Sequence, residues 1–194
     1  MTRPIRMQAF IGGLAVALLL LTQGACTNTI TGDNRYAFYH PDLVRYVAAQ
    51  GDFPVLIIAN PFGAGLDGAL LATMQLPGFY APAAFKATTA EARKDGHLVL
   101  IFNPIRTSTG DAACSAPLAQ TASAAPAGAA NNLRLQAAFC YGRDAVSVAY
   151  LEMPRPRGFN DPAFGEAMSQ LLAVLLPSQI PDQGGCSDPA GLNC

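Results

Sequence analysis

Two short, uninterrupted runs of apolar residues constrain the fold of this 194-residue chain most strongly. The first covers residues 55–59 and the second, which follows His97, covers residues 98–102, and both are rich in Ile, Leu and Val. Runs of this length and composition are typical of central strands that are buried on both faces of a sheet. Each run ends in Asn-Pro, at Asn60 and at Asn103. Because proline cannot donate to a ladder, the sequence predicts two core strands that stop at these asparagines.

Other periodic segments predict the rest of the body. Residues 43–48 fit either a strand or a helix, and as a strand they would form a hairpin with the first apolar run. Arg134 and Gln136 alternate with apolar residues, which predicts that their strand has one wet face. The further predicted elements are a helix over 66–74, an edge strand near 85–88, a hairpin of 133–140 with 145–151, and a helix from Asn160 or Asp161 to Pro177.

Together these elements predict a single α+β domain over residues 36–177. The expected architecture is a two-layer sandwich, in which a mostly antiparallel sheet of about five strands carries two helices on one face. Residues 107–132 are mainly Ala, Ser, Pro, Gly and Thr. We expect them to form a mobile loop, since so few large apolar side chains cannot offset the entropy of ordering. Residues 178–194 are expected to form a Pro- and Gly-rich tail.

The amino-terminal residues 1–25 have the three parts of a secretory signal peptide. Arg3 and Arg6 form a basic head, residues 9–21 are apolar, and two small residues precede position 26. The apolar stretch is shorter than the roughly 20 residues that a membrane-spanning helix needs. We therefore expect a leader that is removed during export.

Cys26 directly follows this leader, and the arrangement resembles the lipobox of bacterial lipoproteins. The box has a branched apolar residue three positions before the cysteine, where this chain has Gln23. The resemblance implies cleavage before Cys26, acylation of its thiol with chains such as palmitate, and a tether over residues 26–35. The alternative is ordinary cleavage after Ala25, which would leave a soluble periplasmic protein with a spare thiol.

The cysteine count bears on the same question. Five cysteines are an awkward number for an exported protein, because an odd thiol invites intermolecular pairing. Lipidation of Cys26 would leave four, which are Cys114, Cys140, Cys186 and Cys194. Four cysteines allow three pairings, and the sequence favours the two local pairs without excluding the others.

Composition and spacing exclude several functional classes. Without Arg3 and Arg6, 10 basic residues face 13 acidic ones, a net charge of −3, and no basic patch predicts nucleic-acid binding. His40 and His97 stand apart from other ligand-type residues and no C-x-x-C occurs, so neither a metal site nor a cofactor is expected. No G-x-S-x-G motif surrounds a serine, and no catalytic set is found.

Asn60 and Asn103 are the candidate ligand-binding residues. If their two strands are parallel, both side chains lie at one edge of the sheet, where the carboxyl ends of strands often build ligand sites. The alternative is structural, since asparagine readily bonds to nearby backbone and begins turns. The sequence favours the structural alternative.

Several short motifs in the body are similar to a group of small bacterial lipoproteins of unknown function. The similarity covers roughly residues 36–177, and its motifs are Asn60-Pro61-Phe62, Phe102-Asn103-Pro104, Cys114, Ala138-Phe139-Cys140 and the helix from Asp161-Pro162-Ala163-Phe164 to Leu176-Pro177. It implies a disulfide between Cys114 and Cys140, and it supplies no activity.

These observations predict a lipid-anchored protein of the bacterial cell envelope that faces the periplasm. We expect a non-enzymatic binding or assembly factor, whose partners are the membrane, through the lipid on Cys26, and an envelope protein. The alternative is a small-ligand binder or hydrolase that uses the loops near Asn60 and Asn103, with His40 or His97 nearby.

Overall fold

The computed structural model describes residues 28–33, 39–63, 65–90, 96–104, 110–115 and 131–179. The predicted signal peptide, the predicted lipidation site at Cys26, and the tail cysteines Cys186 and Cys194 lie outside these residues. The same holds for most of the segment 107–132 that was expected to be a loop.

One mixed sheet organises the described chain. Its six strands lie in the order β1-β6-β5-β4-β2-β3. They are β1 (Thr29–Asp33), β2 (Asp52–Ile58), β3 (Ala84–Ala87), β4 (Gly96–Phe102), β5 (Asn132–Tyr141) and β6 (Asp144–Pro154). The pairs β1/β6, β6/β5 and β5/β4 are antiparallel, whereas β4/β2 and β2/β3 are parallel.

The predicted mostly antiparallel sheet of about five strands with two helices is therefore wrong. Six strands form the sheet, two of its five pairings are parallel, and four helices are described. The helices are α1 (Pro41–Ala48), α2 (Asp67–Ala72), α3 (Gly110–Ser115) and α4 (Pro162–Leu175). Parallel neighbours need a crossover connection. The helix α2 between β2 and β3 provides one, and it returns the chain to the same end of the sheet.

Three helices share one face of the sheet. Val47 of α1, Leu70 of α2 and Leu171 of α4 belong to one buried core with the sheet residues Phe53 and Leu100. Residues 43–48 are thus helical, and the alternative of a hairpin with β2 is wrong. The core also explains why β2 and β4 are continuously apolar, since both lie in the middle of the sheet.

Capping residues fix the starts of α1 and α4. The backbone N–H of Asp42 donates to the His40 imidazole at 3.3 Å, and that of Ala163 donates to the Asp161 carboxylate at 3.1 Å. A proline follows each cap at the first helical position, where its missing N–H costs nothing. The predicted start of the last helix at Asp161 is confirmed.

The fourth helix, α3, covers part of the opposite face. Its Ala113 and Cys114 are buried with Val99, Ala138 and Val148 in a second core. The predicted disulfide is confirmed: Cys114 bonds to Cys140 of β5, with the Cα atoms 5.7 Å apart. Helix α3 lies within the segment predicted as a loop, and strand β1 lies within the predicted tether, so both segments contain regular structure that the sequence pattern did not indicate.

Candidate functional site

The two asparagines lie at the same end of the sheet, just after the carboxyl ends of β2 and β4, because these two strands are parallel. In the ladder Ile58 is opposite Ile101, and Asn60 and Asn103 each follow two residues later. The Asn60 carboxamide accepts from the Phe62 N–H at 3.0 Å and donates to the Asp67 carboxylate at 2.7 Å. It thereby closes the turn after β2 and ties it to the start of α2.

Asn103 has a comparable structural role in the turn after β4. Its backbone is left-handed, with φ 47°, a conformation that asparagine tolerates well. Its N–H donates to the Arg134 carbonyl at 2.7 Å, and its side-chain oxygen accepts from the Arg134 N–H at 3.1 Å. The carboxamide therefore extends the ladder to β5 in place of a backbone carbonyl.

His97 does not join the asparagines in one site. His97 is the second residue of β4, six residues before Asn103, which corresponds to about 20 Å along a strand. It is fully buried and lies opposite Cys140 in the ladder. His40 is exposed at the start of α1, where its Nδ1 also lies 3.2 Å from the Asp42 carboxylate. The position of His97 weighs against its use as the base of a hydrolase at these loops.

A cleft of about 390 Å³ lies between α2 and the edge strand β3, and we call it the edge cleft. Its lining is mostly apolar, and Leu71, Met74 and Phe85 contribute the largest side chains; the other lining residues are Gly68, Ala72, Ala84, Lys86 and Ala87. Strand β3 pairs with β2 and is last in the strand order. Among the described residues no strand pairs with the outer side of β3, so the cleft borders an edge to which another strand can be added.

Backbone groups of β3 point into this open edge. The N–H groups of Ala84 and Thr88 donate to carbonyls of β2, at 3.0 and 2.9 Å. In a parallel pair the direction of the N–H and C=O groups alternates along the strand. Those of Phe85 and Ala87 therefore point away from β2. The side chain of Lys86 lies on the face of β3 opposite to that of Phe85. It is exposed, and its ammonium lies 3.9 Å from the Asp52 carboxylate.

A second cavity, of about 260 Å³, lies at the other end of the strand order, and we call it the β1 pocket. Its polar lining comes from the neighbouring strands β1, β6 and β5, with Thr29, Thr31, Glu152, Tyr150 and Arg134. The register places these side chains on one face, since Thr29 and Arg134 are both opposite Glu152. Pro104, Leu135 and Leu151 complete the lining. Neither cavity is lined by a histidine.

The chain matches no family model, no curated protein and no solved structure. The resemblance to small bacterial lipoproteins therefore stays an expectation, and the two cavities have to be interpreted from their own geometry. Within the described part of the chain, no three His, Cys, Asp or Glu side chains are grouped as a metal site would require. None of the described helices is long and apolar enough to cross a membrane.

Two buried tyrosines connect Pro177, which follows α4, to the core between the sheet and the three helices. Tyr39 and Tyr80 lie with their hydroxyl oxygens 3.0 Å apart, and both reach the Pro177 carbonyl, at 2.7 and 2.8 Å. Burial raises the pKa of both phenols above the ordinary value of 10.0. Both hydroxyls therefore stay protonated at neutral pH and act as structural donors.

Some of the strands that line these cavities could be predicted from the sequence. The predicted edge strand near 85–88 is confirmed as β3, and it is the signal that could have indicated the edge cleft. Arg134 is exposed, as its alternation predicted, but Gln136 is buried, so that prediction was wrong for Gln136. The contribution of β1 to the second cavity was missed because Thr29–Asp33 has no apolar alternation.

Proposed function

We propose that this protein is a lipid-anchored, non-catalytic binding factor of the bacterial envelope, and that it binds an extended segment of an envelope protein. The edge cleft is the observation that carries this function. It combines an open strand edge with an apolar floor between Leu71 and Phe85. Proteins that recognise peptides by strand addition gain affinity from main-chain hydrogen bonds and specificity from pockets beside the strand.

The chemistry of the edge cleft defines the partner. An added strand would pair with the outward N–H and C=O groups of Phe85 and Ala87, and an apolar side chain would contact Leu71 and Met74. An acidic side chain beside Lys86 would be favoured, since the ammonium is exposed. We therefore propose an extended peptide with one apolar and one acidic residue.

The disulfide supports export. Cys114 and Cys140 are bonded and buried, and structural disulfides form and persist in oxidising compartments such as the bacterial periplasm. Removal of a leader at residue 25 and acylation of Cys26 would fit this location. With about 0.8 kcal/mol per buried methylene, two acyl chains would make the anchoring stable.

We expect mass spectrometry of the mature amino terminus to find Cys26 as the first residue, with a diacylglyceryl group on its thiol. The variant Cys26→Ser should lack the acyl groups and leave the membrane fraction when the cells are broken. An unmodified Cys26, or cleavage at another site, would contradict the anchoring proposal.

Ala87→Pro should abolish partner binding, because proline removes the outward N–H and places its ring in the path of an added strand. The ladder to β2 should survive, since the N–H of residue 87 does not donate to β2. Ala87→Val is the matched control, as it keeps the N–H and suits a strand. The readout is crosslinking from a photo-reactive amino acid at exposed Ala84 of the same strand, in the native envelope, so that Lys86 is retained.

With alanine and with valine at position 87 we expect one discrete crosslinked adduct from position 84. With Ala87→Pro we expect at least a tenfold loss of it, which corresponds to about 1.4 kcal/mol. A synthetic copy of the crosslinked segment should slow hydrogen exchange at Phe85 and Ala87. An adduct that persists in Ala87→Pro, or that forms equally from exposed Gln170 on α4, would refute strand addition at β3.

A further inference from the structure

The start of the described chain brings one corner of the sheet close to the proposed anchor. Thr29 begins β1 three residues after Cys26, and three extended residues span at most about 11 Å. In the ladder Thr29 is opposite Glu152, so the end of β6 lies beside the start of β1. The β1 pocket, which Thr29 lines, would then lie next to the lipid headgroups.

Basic side chains concentrate at this corner. The described residues include six Lys and Arg, namely Arg45, Lys86, Arg134, Arg143, Arg155 and Arg157. Arg134 is opposite Glu152 in the ladder, and the N–H of Arg155, just after β6, donates to the Asn131 carbonyl at 2.9 Å. Arg157 follows two residues later. Arg134 and Arg155 thus lie near the corner at which β1 begins, and Arg157 is two residues from Arg155.

These three arginines are available for an external anion. Arg45 pairs with Asp42, and Lys86 lies on β3, at the opposite end of the strand order. Within the described part of the chain, Arg134, Arg155 and Arg157 make no ion pair, and all three are exposed.

The acids at the same corner are already engaged by hydrogen-bond donors. The Glu152 carboxylate accepts from the Asn132 side chain at 3.0 Å, and Asp161 accepts from the N–H groups of Arg157 and Ala163, both at 3.1 Å. Neither carboxylate forms an ion pair with one of the three arginines, although each keeps its negative charge and Glu152 lines the β1 pocket.

The β1 pocket offers donors for one phosphate group. The Arg134 guanidinium can bind phosphate oxygens through two N–H groups, and the hydroxyl groups of Thr29 and Thr31 line the same cavity. The mature chain has a net charge of −3, which would repel an anionic membrane elsewhere on the surface. A local basic corner would therefore favour one orientation of the protein, in which this corner contacts the anionic membrane.

We propose that this corner docks on anionic phospholipids, with a headgroup phosphate in the β1 pocket against Arg134 and further phosphates at Arg155 and Arg157. The position of the corner at the membrane rests on the proposed anchoring at Cys26, whereas the affinity for phospholipid does not. Docking would leave the edge cleft at the far edge of the sheet, about 24 Å away across five strand spacings. That cleft would then face a partner in the periplasm.

Acyl-free protein isolates the docking from the anchoring. The mature chain from residue 26 with Cys26→Ser is mixed with vesicles that contain 30 mol % phosphatidylglycerol in phosphatidylcholine, or phosphatidylcholine by itself, and bound protein is sedimented. We expect binding to the anionic vesicles, weaker binding at higher salt, and at least tenfold weaker binding to the neutral ones. Arg134→Gln should weaken binding about fivefold, and the triple variant with Arg155→Gln and Arg157→Gln about a hundredfold.

Arg143→Gln is the matched control, because Arg143 is exposed in the turn between β5 and β6, at the opposite end of that hairpin. Its binding should be unchanged, and circular dichroism should show that all the variants are folded. Equal binding to neutral vesicles, or an Arg143→Gln effect as large as that of Arg134→Gln, would overturn the proposal. An unmodified Cys26 in cells would overturn only the anchoring.

Discussion

Replacing Cys114 and Cys140 together by alanine is expected to lower the free energy of unfolding by about 3 kcal/mol. The disulfide closes a loop across 26 residues, and in the chain-entropy description a loop of this size stabilises the folded state by about that amount. Both cysteines are buried against the sheet on the α3 face. The bond therefore also holds α3 on β5, which makes this the largest single contribution we expect.

Urea denaturation measures the effect. With an m-value of about 2 kcal/mol per molar, the unfolding midpoint should fall by about 1.5 M. Both proteins compared should carry Cys186→Ala and Cys194→Ala, so that the tail thiols do not contribute. A reductant should then bring the midpoint of the protein that retains Cys114 and Cys140 down to that of the variant, and should leave the variant unchanged. A midpoint shift below about 0.3 M would contradict a structural role of the disulfide.

The elements that could be predicted from the sequence are those whose pattern is local. The strands β2 and β4 contain continuous apolar runs. The cap at Asp161 and the proline at position 177 predict both ends of α4 to within two residues. Residues 43–48 were ambiguous because six residues hold fewer than two helical turns, so that periods of two and of 3.6 cannot be separated.

The elements that were missed depend on contacts distant in sequence. Strand β1 has the sequence TITGD, with one large apolar residue, and it is a strand because it pairs with β6. Helix α3 lies in an Ala-rich segment of low hydrophobicity, and its disulfide to β5 holds it on the sheet. Nothing local specifies that β2 pairs in parallel with both β3 and β4, because strand neighbours are chosen by packing of the whole sheet.

The candidate site was also predictable only where it depends on local sequence patterns. The repeated Asn-Pro indicated two matching strand ends, and the parallel ladder does place Asn60 and Asn103 at one edge. What the two side chains do there depends on Asp67 and Arg134, which the motif does not include. The two cavities are built from neighbouring strands far apart in sequence, so composition and spacing could not reveal them.

Gly110→Ala is expected to destabilise the fold by about 2 to 3 kcal/mol, since an added methyl group overfills the contact between α3 and β6. An ideally placed Cβ on Gly110 would lie 2.6 Å from the Cβ of Ala145 and closer still to a methyl group of Val148. Val148 could rotate, but the Ala145 Cβ is fixed to the backbone of β6. Helix α3 would therefore have to lift from the sheet, against the disulfide at Cys114.

Gly165→Ala in α4 provides the matched control, because no heavy atom lies within 4 Å of the added Cβ apart from the neighbouring residues and the backbone of the same helix. Alanine in an open helix position should raise the stability by about 0.5 to 1 kcal/mol, so the two glycine variants should shift the urea midpoint in opposite directions. Adding Val148→Ala to Gly110→Ala should recover part of the loss, while the conflict with Ala145 persists. An unchanged midpoint for Gly110→Ala would show that α3 does not pack against β6 as tightly as the geometry requires.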